Sequence, residues 1–149
     1  MKNLNSMISL AGVCISLAAC GQNISQTKVP AVVVNSFQQQ YPKTNDVEWE
    51  RKGSLYEVEF ETGLSGVDHK ILLDSLGKIT YHKVDINESE LPEQVKSSIS
   101  QQFAGYRVDD VKKIESNGLV TYTAELKKKP EEWKITFGFD GKILDKTPD

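Results

Sequence analysis

The chain has 149 residues, 18 basic against 21 acidic, a formal charge of −3 and a mean hydropathy of −0.41. Acidic and basic residues are interspersed, and the largest basic run is Lys127-Lys128-Lys129 beside Pro130. That balance excludes the strong basic footprint of a nucleic-acid-binding protein, and the length fits one domain with a sizeable core.

At the N-terminus a short polar start with Lys2 leads into an apolar stretch from about Met7, which ends at Leu17-Ala18-Ala19-Cys20. About a dozen apolar residues are too few to span a bilayer, which takes about 20. Charged start, apolar middle and small residues before a cut are the three parts of an export signal. Small residues directly before Cys20 resemble the lipobox of bacterial lipoprotein signal peptides. The alternative is an ordinary secretory signal cut near Ala19, which would leave Cys20 as a free, oxidisable thiol. The lipobox reading implies cleavage before Cys20 and lipid chains on its sulfur and amine, enough for stable membrane anchoring. Both cysteines, Cys14 and Cys20, lie in this segment, so the mature domain is expected to stand without a disulfide. Loss of Lys2 with the signal leaves a charge of −4. Residues 20–28 read as a lipidated, flexible tether. Gly21-Gln22-Asn23 lacks an acidic run of the kind linked to surface export in Bacteroidetes lipoproteins, which favours a periplasm-facing position.

Beyond the tether the chain repeats itself: residues 29–88 form one unit and 89–149 a second. A helix is expected after Val29-Pro30, with Val33, Val34, Phe37 and Tyr41 at helical spacing and a stop at Pro42. A second is expected after Leu91-Pro92, with Val95, Ile99 and Phe103 on one stripe and Gly105 as the stop. Period-two alternation follows each helix. In the first unit Val47 and Trp49 precede a turn at Gly53, then Leu55 to Glu61, then Val67 to Leu73. Asp74-Ser75-Leu76-Gly77 turns into Lys78-Ile79-Thr80-Tyr81. In the second, Val108 to Ile114 turns at Asn117-Gly118 into Val120 to Ala124, and Glu132 to Phe139 turns at Asp140-Gly141 into Lys142-Ile143-Leu144. Asn-Gly and Asp-Gly between alternating runs are strong hairpin signals.

The alternation assigns faces. Tyr56, Val58 and Phe60 oppose Glu57, Glu59 and Glu61. Tyr122 and Ala124 oppose Thr121 and Thr123, and Trp133, Ile135, Phe137 and Phe139 oppose Glu132, Lys134 and Thr136. The predicted fold is α+β: two tandem helix-plus-antiparallel-sheet repeats forming one curved sheet, helices on its apolar face and water on the other. Eight or more large apolar side chains per unit, each worth about 1.5–3 kcal/mol on burial, can hold such a fold.

Two helix-plus-sheet units behind a lipobox, each ending in a Gly-Lys-Ile arm (Gly77-Lys78-Ile79 and Gly141-Lys142-Ile143), resemble the PepSY-like proteins, whose fold is that of the β-lactamase-inhibitor protein. The resemblance covers residues 29–146. It implies a curved antiparallel sheet with helices on one side, an exported protein of Bacteroidetes, and for the better-known relatives binding or inhibition of secreted enzymes through the concave face.

Candidate chemistry is sparse. His69 beside Asp68 and His82 near Asp85 are the only histidines. A metal site needs three or four convergent ligands, and the alternation places His82 toward solvent, so the two read as unrelated. No serine sits in a nucleophile-elbow context. Glu57, Glu59 and Glu61, widened by Asp46, Glu48 and Glu50, form an acidic stripe that could dock a basic partner, hold a cation, or simply be a solvated face that resists aggregation. Carboxylate pairs suit glycosidases, but an open sheet face offers no cleft. Trp49, Tyr56, Phe60, Tyr81, Tyr122, Trp133, Phe137 and Phe139 fall mostly at core parity, so the open face is expected to lack aromatic anchors. No catalytic residue, metal or cofactor is assigned.

The expected function is therefore non-enzymatic: a membrane-anchored periplasmic module that binds or restrains another exported protein through Glu57, Glu59, Glu61, Thr121, Thr123, Lys134 and Thr136. The alternatives are a carrier or sensor of a small ligand or cation, and a structural envelope component. Replacing Cys20→Ser should abolish metabolic labelling with a radioactive fatty acid and move the protein from the membrane pellet to the soluble fraction. Labelling retained in the variant would refute the lipid assignment.

Overall fold

The computed structural model describes residues 22–149, and Cys20 with its cleavage site lies outside them. Nine antiparallel strands form one sheet in sequence order: β1 (Gln22–Asn23), β2 (Asn45–Lys52), β3 (Leu55–Thr62), β4 (Val67–Leu73), β5 (Ile79–Asp85), β6 (Arg107–Ser116), β7 (Leu119–Lys128), β8 (Glu131–Gly138) and β9 (Ile143–Pro148). Helix α1 (Ala31–Gln40) precedes β2, and α2 (Glu93–Gln102) separates β5 from β6. Each helix starts directly after a proline, Pro30 or Pro92, a residue whose missing N–H costs nothing there. Each predicted unit is thus one helix and four strands.

The segment expected to be a flexible tether is structured from Gln22 onward. Gln22 pairs with Arg51 and Asn23 with Glu50, Ile24 N–H donates to the Trp49 carbonyl at 2.9 Å, and Gln26–Lys28 form a 3-10 turn. Ile24 packs against the first core, which supplies the apolar contact that holds this stretch down.

Two separate apolar clusters form. The first joins Val33 and Phe37 of α1 to Trp49, Tyr56, Val58, Phe60, Ile71 and Leu73. Its rings interlock edge to face: Phe37 meets Trp49 at 5.4 Å and Phe60 at 5.0 Å. The second joins Val95 and Ile99 of α2 to Val111, Tyr122, Ala124, Leu126, Ile135 and Phe137.

The two halves reuse the same backbone devices. β2 and β6 each carry an irregularity, between Asn45 and Glu48 and between Asp109 and Lys112, and inside each lies an aspartate at positive φ, Asp46 (48°) and Asp110 (44°). Aspartate tolerates that conformation better than most residues. The last hairpin of each half carries a one-residue bulge: Leu73 pairs with Ile79 but Leu72 with Tyr81, and Phe137 pairs with Ile143 but Thr136 with Asp145. A bulge flips the side-chain parity of everything after it. Tyr81, expected at core parity, therefore lies on the polar face opposite Leu72, and His82 turns to the apolar side opposite Ile71. Phe139 is a second correction. β8 ends at Gly138, so Phe139 sits on the turn and is exposed.

The repeated glycine also acquires a reason. A Cβ on Gly141 would lie 2.3 Å from the Gln94 carbonyl oxygen of α2. A Cβ on Gly77 would lie 2.8 Å from Ser36 Cβ and 3.0 Å from the Val32 carbonyl of α1, and both glycines have φ near 80°. Each helix therefore sits directly on a glycine of the last hairpin turn, and Ser36 Oγ donates to the Gly77 carbonyl at 2.6 Å. Gly141→Ala should cost about 2–4 kcal/mol, combining left-handed strain with a backbone clash. Gly53→Ala, where φ is 62° but nothing lies within 4 Å, should cost about 1 kcal/mol. Urea unfolding midpoints measure both, and equal costs would dissociate the glycine from helix seating.

Candidate functional site

The strand register carries the predicted residues across both halves on one side of the sheet. Glu59 lies opposite Lys70, Lys70 opposite Lys83, Lys83 opposite Ile114, and Ile114 opposite Thr121. A neighbouring row runs from Asp85 through Lys112 and Thr123 to Thr136. Lys134 lies opposite Glu125, and Glu57 lies between Glu50 and Leu72. The seven candidates thus share a face, which also holds Tyr81, an aromatic that simple alternation had placed in the core.

The acidic stripe is not uniform. Glu57 is 6 % exposed, and Lys70 at 3.2 Å and Lys52 at 3.6 Å face one of its carboxylate oxygens. A carboxylate removed from water needs such compensation. Glu57 therefore belongs to the architecture of the face rather than to its accessible surface, contrary to the expectation of a solvated stripe. Thr123 is buried as well. Lys52 also pairs with Glu50 at 2.6 Å and Lys70 with Glu59 at 2.5 Å. These contacts hold the Lys52 and Lys70 ammonium groups above the usual lysine range, despite the opposing effect of burial at Lys70, and the Lys52 contact lowers Glu50. Glu61 lies opposite Asp68, a like-charge pair, and neither has an ion-pair partner among the described residues.

A concavity of about 290 Å³ opens at this end of the face, lined among others by Asp46, Glu48, Glu59, Glu61, Asp68 and Asp85, with Lys70, Lys83 and Lys112 as its cations. Two of those cations are already engaged, Lys70 as above and Lys112 with Asp85 at 3.2 Å and with Asp110. The hollow is acidic on balance. No group of three or more His, Cys, Asp or Glu among the described residues is arranged to hold a metal ion.

The bulge in β5 creates a feature that the sequence reading missed. His69 Nδ1 and His82 Nε2 are 3.0 Å apart, Thr62 Oγ1 lies 2.8 Å from His69 Nε2, and the two imidazoles meet edge to edge in nearly parallel planes, 10° apart, with centroids 5.3 Å apart. Phe60 stacks on His69 at 4.9 Å and Tyr41 approaches both rings. One proton fits between the two facing nitrogens, and a second would leave two N–H groups pointing at each other. Burial holds both histidines below the usual value. The neighbouring His82 adds to this at His69, against Asp68 and Asp85, while at His82 the opposing pull of Glu115 is countered by Lys113. Burial, helped by Glu115, raises the Tyr41 phenol. The pair lies beside the first apolar core, against Phe60 and Tyr41. Simple alternation could not place it, because one extra residue at Thr80 reverses the parity.

Two consecutive stretches, residues 17–81 and 78–145, match the family described as putative beta-lactamase-inhibitor-like, PepSY-like. The chain belongs to the PepSY-like family. The double match agrees with the two units read from the sequence. No curated protein matches the chain. Among solved structures, a DUF2874 family protein from Bacteroides uniformis is 21 % identical with a TM-score of 0.67, covering 80 % of this chain and 88 % of its own. A protein from Bacteroides eggerthii described as periplasmic is 17 % identical with a TM-score of 0.69, over 80 % and 88 %. A BLIP-like protein from Bacteroides fragilis is 17 % identical with a TM-score of 0.63, over 78 % and 84 %. At these identities the likeness shows the fold alone. No helix among the described residues is long and apolar enough to cross a membrane.

The histidine pair gives this PepSY-like domain a pH signature. Both folded pKa values lie below the unfolded value of about 6.5, so the unfolded chain binds more protons and stability falls as pH drops through about 6.5. Carboxylates with lowered values, such as Glu115 and Asp110, lose their contribution only at lower pH. The melting temperature should fall between about pH 7.5 and 5.5, and His82→Gln should flatten that slope. An unchanged slope in the variant would remove the pair as its source.

Proposed function

We propose that this PepSY-like chain is a lipid-anchored, periplasm-facing module that binds or restrains another exported protein through the polar face of its sheet. Both helices cover the opposite side in this reading, seated over Gly77 and Gly141, and leave the polar face free. The observation that carries it is the acidic hollow. Asp46, Glu48, Glu61 and Asp68 line it without a salt bridge among the described residues, while Glu59 and Asp85 are paired with Lys70 and Lys112. Unpaired surface carboxylates around a depression fit a basic loop of a partner, and complementary charge gives specificity and a fast encounter. A stable complex would cover roughly 1,200–2,000 Å² in total, which the rows running from Glu59 to Thr136 can supply. The family's inhibitor-like description is in keeping with action by occlusion rather than by chemistry.

The test is crosslinking in the native envelope followed by pull-down and mass spectrometry, comparing wild type with Glu61→Lys/Asp68→Lys. Glu57 stays untouched because it is buried between lysines. A partner recovered with wild type and lost with the reversed charges, at unchanged melting temperature, is the expected result. Equal recovery from both would move the interface off this face, and no partner from either would favour a ligand carrier or a structural envelope protein.

A further inference from the structure

Six large apolar side chains are exposed among the described residues: Val32, Leu64, Leu76, Leu119, Phe139 and Leu144. Their distribution follows from the topology. Every strand is antiparallel to its sequence neighbour, so the β2–β3, β4–β5, β6–β7 and β8–β9 turns all lie at one end of the sheet. Leu76 and Phe139 lie in two of those turns and Leu119 directly follows a third, and they are 79 %, 61 % and 72 % exposed. Leu144 follows at the start of β9, and Val32 lies in the first turn of α1, whose carbonyl abuts Gly77 in the β4–β5 turn. Only Leu64 is at the other end. Exposed apolar tips collected on one rim mark a surface that meets something apolar.

The chain itself indicates what. β1 is antiparallel to β2 with Gln22 opposite Arg51, so the polypeptide enters the sheet beside the β2–β3 turn, on that same rim. Cys20 is two residues away, and two residues reach no more than about 7 Å. From Gln22 onward the chain is paired into the sheet. Exposed Arg51, Lys78 and Lys142 sit among the apolar tips. The aspartates of the same turns spend an oxygen on backbone N–H groups: Asp74 accepts from Leu76 and Lys78, and Asp140 from Lys142. Apolar tips with interspersed cations suit the headgroup region of an anionic bilayer.

We infer that the turn rim bearing Leu76, Leu119, Phe139 and Leu144 docks onto the lipid bilayer that holds Cys20, so that the strands stand away from the membrane and the polar face looks sideways along it. The inference rests on the lipid anchor of the preceding reading. It does not depend on the identity of any protein partner.

The test uses the mature lipidated chain in vesicles of phosphatidylethanolamine and phosphatidylglycerol. The precursor's other cysteine, Cys14, leaves with the signal, so one introduced thiol is unique. An environment-sensitive fluorophore is placed at Leu76→Cys, Leu119→Cys or Phe139→Cys. Leu64→Cys is the control, a strand length of about 25 Å away. Each site is exposed, and melting temperatures verify folding. Rim probes should be blue-shifted and quenched by a lipid-borne quencher about two-fold or more above the Leu64 probe, as expected for insertion to headgroup depth. Four equal, water-like probes on a chain that floats with the vesicles would overturn the docking while leaving the anchor intact. Blue-shifted rim probes that the lipid quencher does not reach would assign the rim to a second copy or another protein, and overturn it too. A chain that fails to float would remove the anchor, and the docking with it.

Discussion

One backbone ladder, between β5 and β6, makes this molecule a single object. The two apolar cores do not merge: each helix serves its own half. What joins them is five residue pairs, from Tyr81–Ser116 to Asp85–Lys112, extended by the Ile86 N–H bond to the Val111 carbonyl. Without that pairing each half would be a helix on four strands with a bare edge, which invites association with other chains. With it, rows of side chains run across both halves, and the polar face acquires a length that neither half has alone. The same pairing puts Glu115 opposite His82.

The halves also explain each other. Paired bulges, paired aspartates at positive φ and paired glycines beneath a helix are costly local solutions, and finding each twice, 64 residues apart, makes them consequences of a shared backbone rather than accidents. The fillings then diverge. The first core clusters Phe37, Trp49 and Phe60 around α1, while the second sets Ala124 and Ile135 among Phe103, Tyr122 and Phe137. The apolar patterning was kept while the side chains changed, as packed cores tolerate when neighbours repack.

Most of the elements were legible in the sequence because turn chemistry punctuates it: Asn117-Gly118, Asp140-Gly141 and the two prolines before helices mark boundaries that the structure keeps. Parity was legible only as far as the first irregularity. Nothing in Ile79-Thr80-Tyr81-His82 announces that Thr80 is the extra residue, so Tyr81 and His82 were assigned to the wrong faces and the histidine pair went unseen. Burial within a face was equally opaque. Glu57, Glu59 and Glu61 look alike in one dimension, but only Glu57 has lysines arriving from two neighbouring strands, and those lysines depend on pairing that alternation does not encode. The docking of Gln22 to Ile24 escaped notice for a related reason: a two-residue edge strand has no periodicity to read.

These placements bear on how a binding module could work at a membrane. A long flexible tether lets a domain search a volume, and its effective concentration for a partner falls as the tether lengthens. Here the chain is hydrogen-bonded into the sheet from Gln22, and Cys20 is two residues away. An anchored domain would be held within about 7 Å of its lipid by the intervening chain. If the turn rim rests on the lipid, rotation is restricted too, and the acidic hollow keeps a nearly constant height, at the far ends of β3 and β4 from the bilayer. A partner would be selected by geometry as well as by charge: its basic segment must stand off the membrane by roughly one strand length, about 25 Å. Soluble proteins in the same compartment could meet the charge requirement at any orientation, whereas a membrane-bound partner meets it only at matching height. If Cys20 is the anchor, so short a connection to the sheet would favour partners that are themselves held at the same surface.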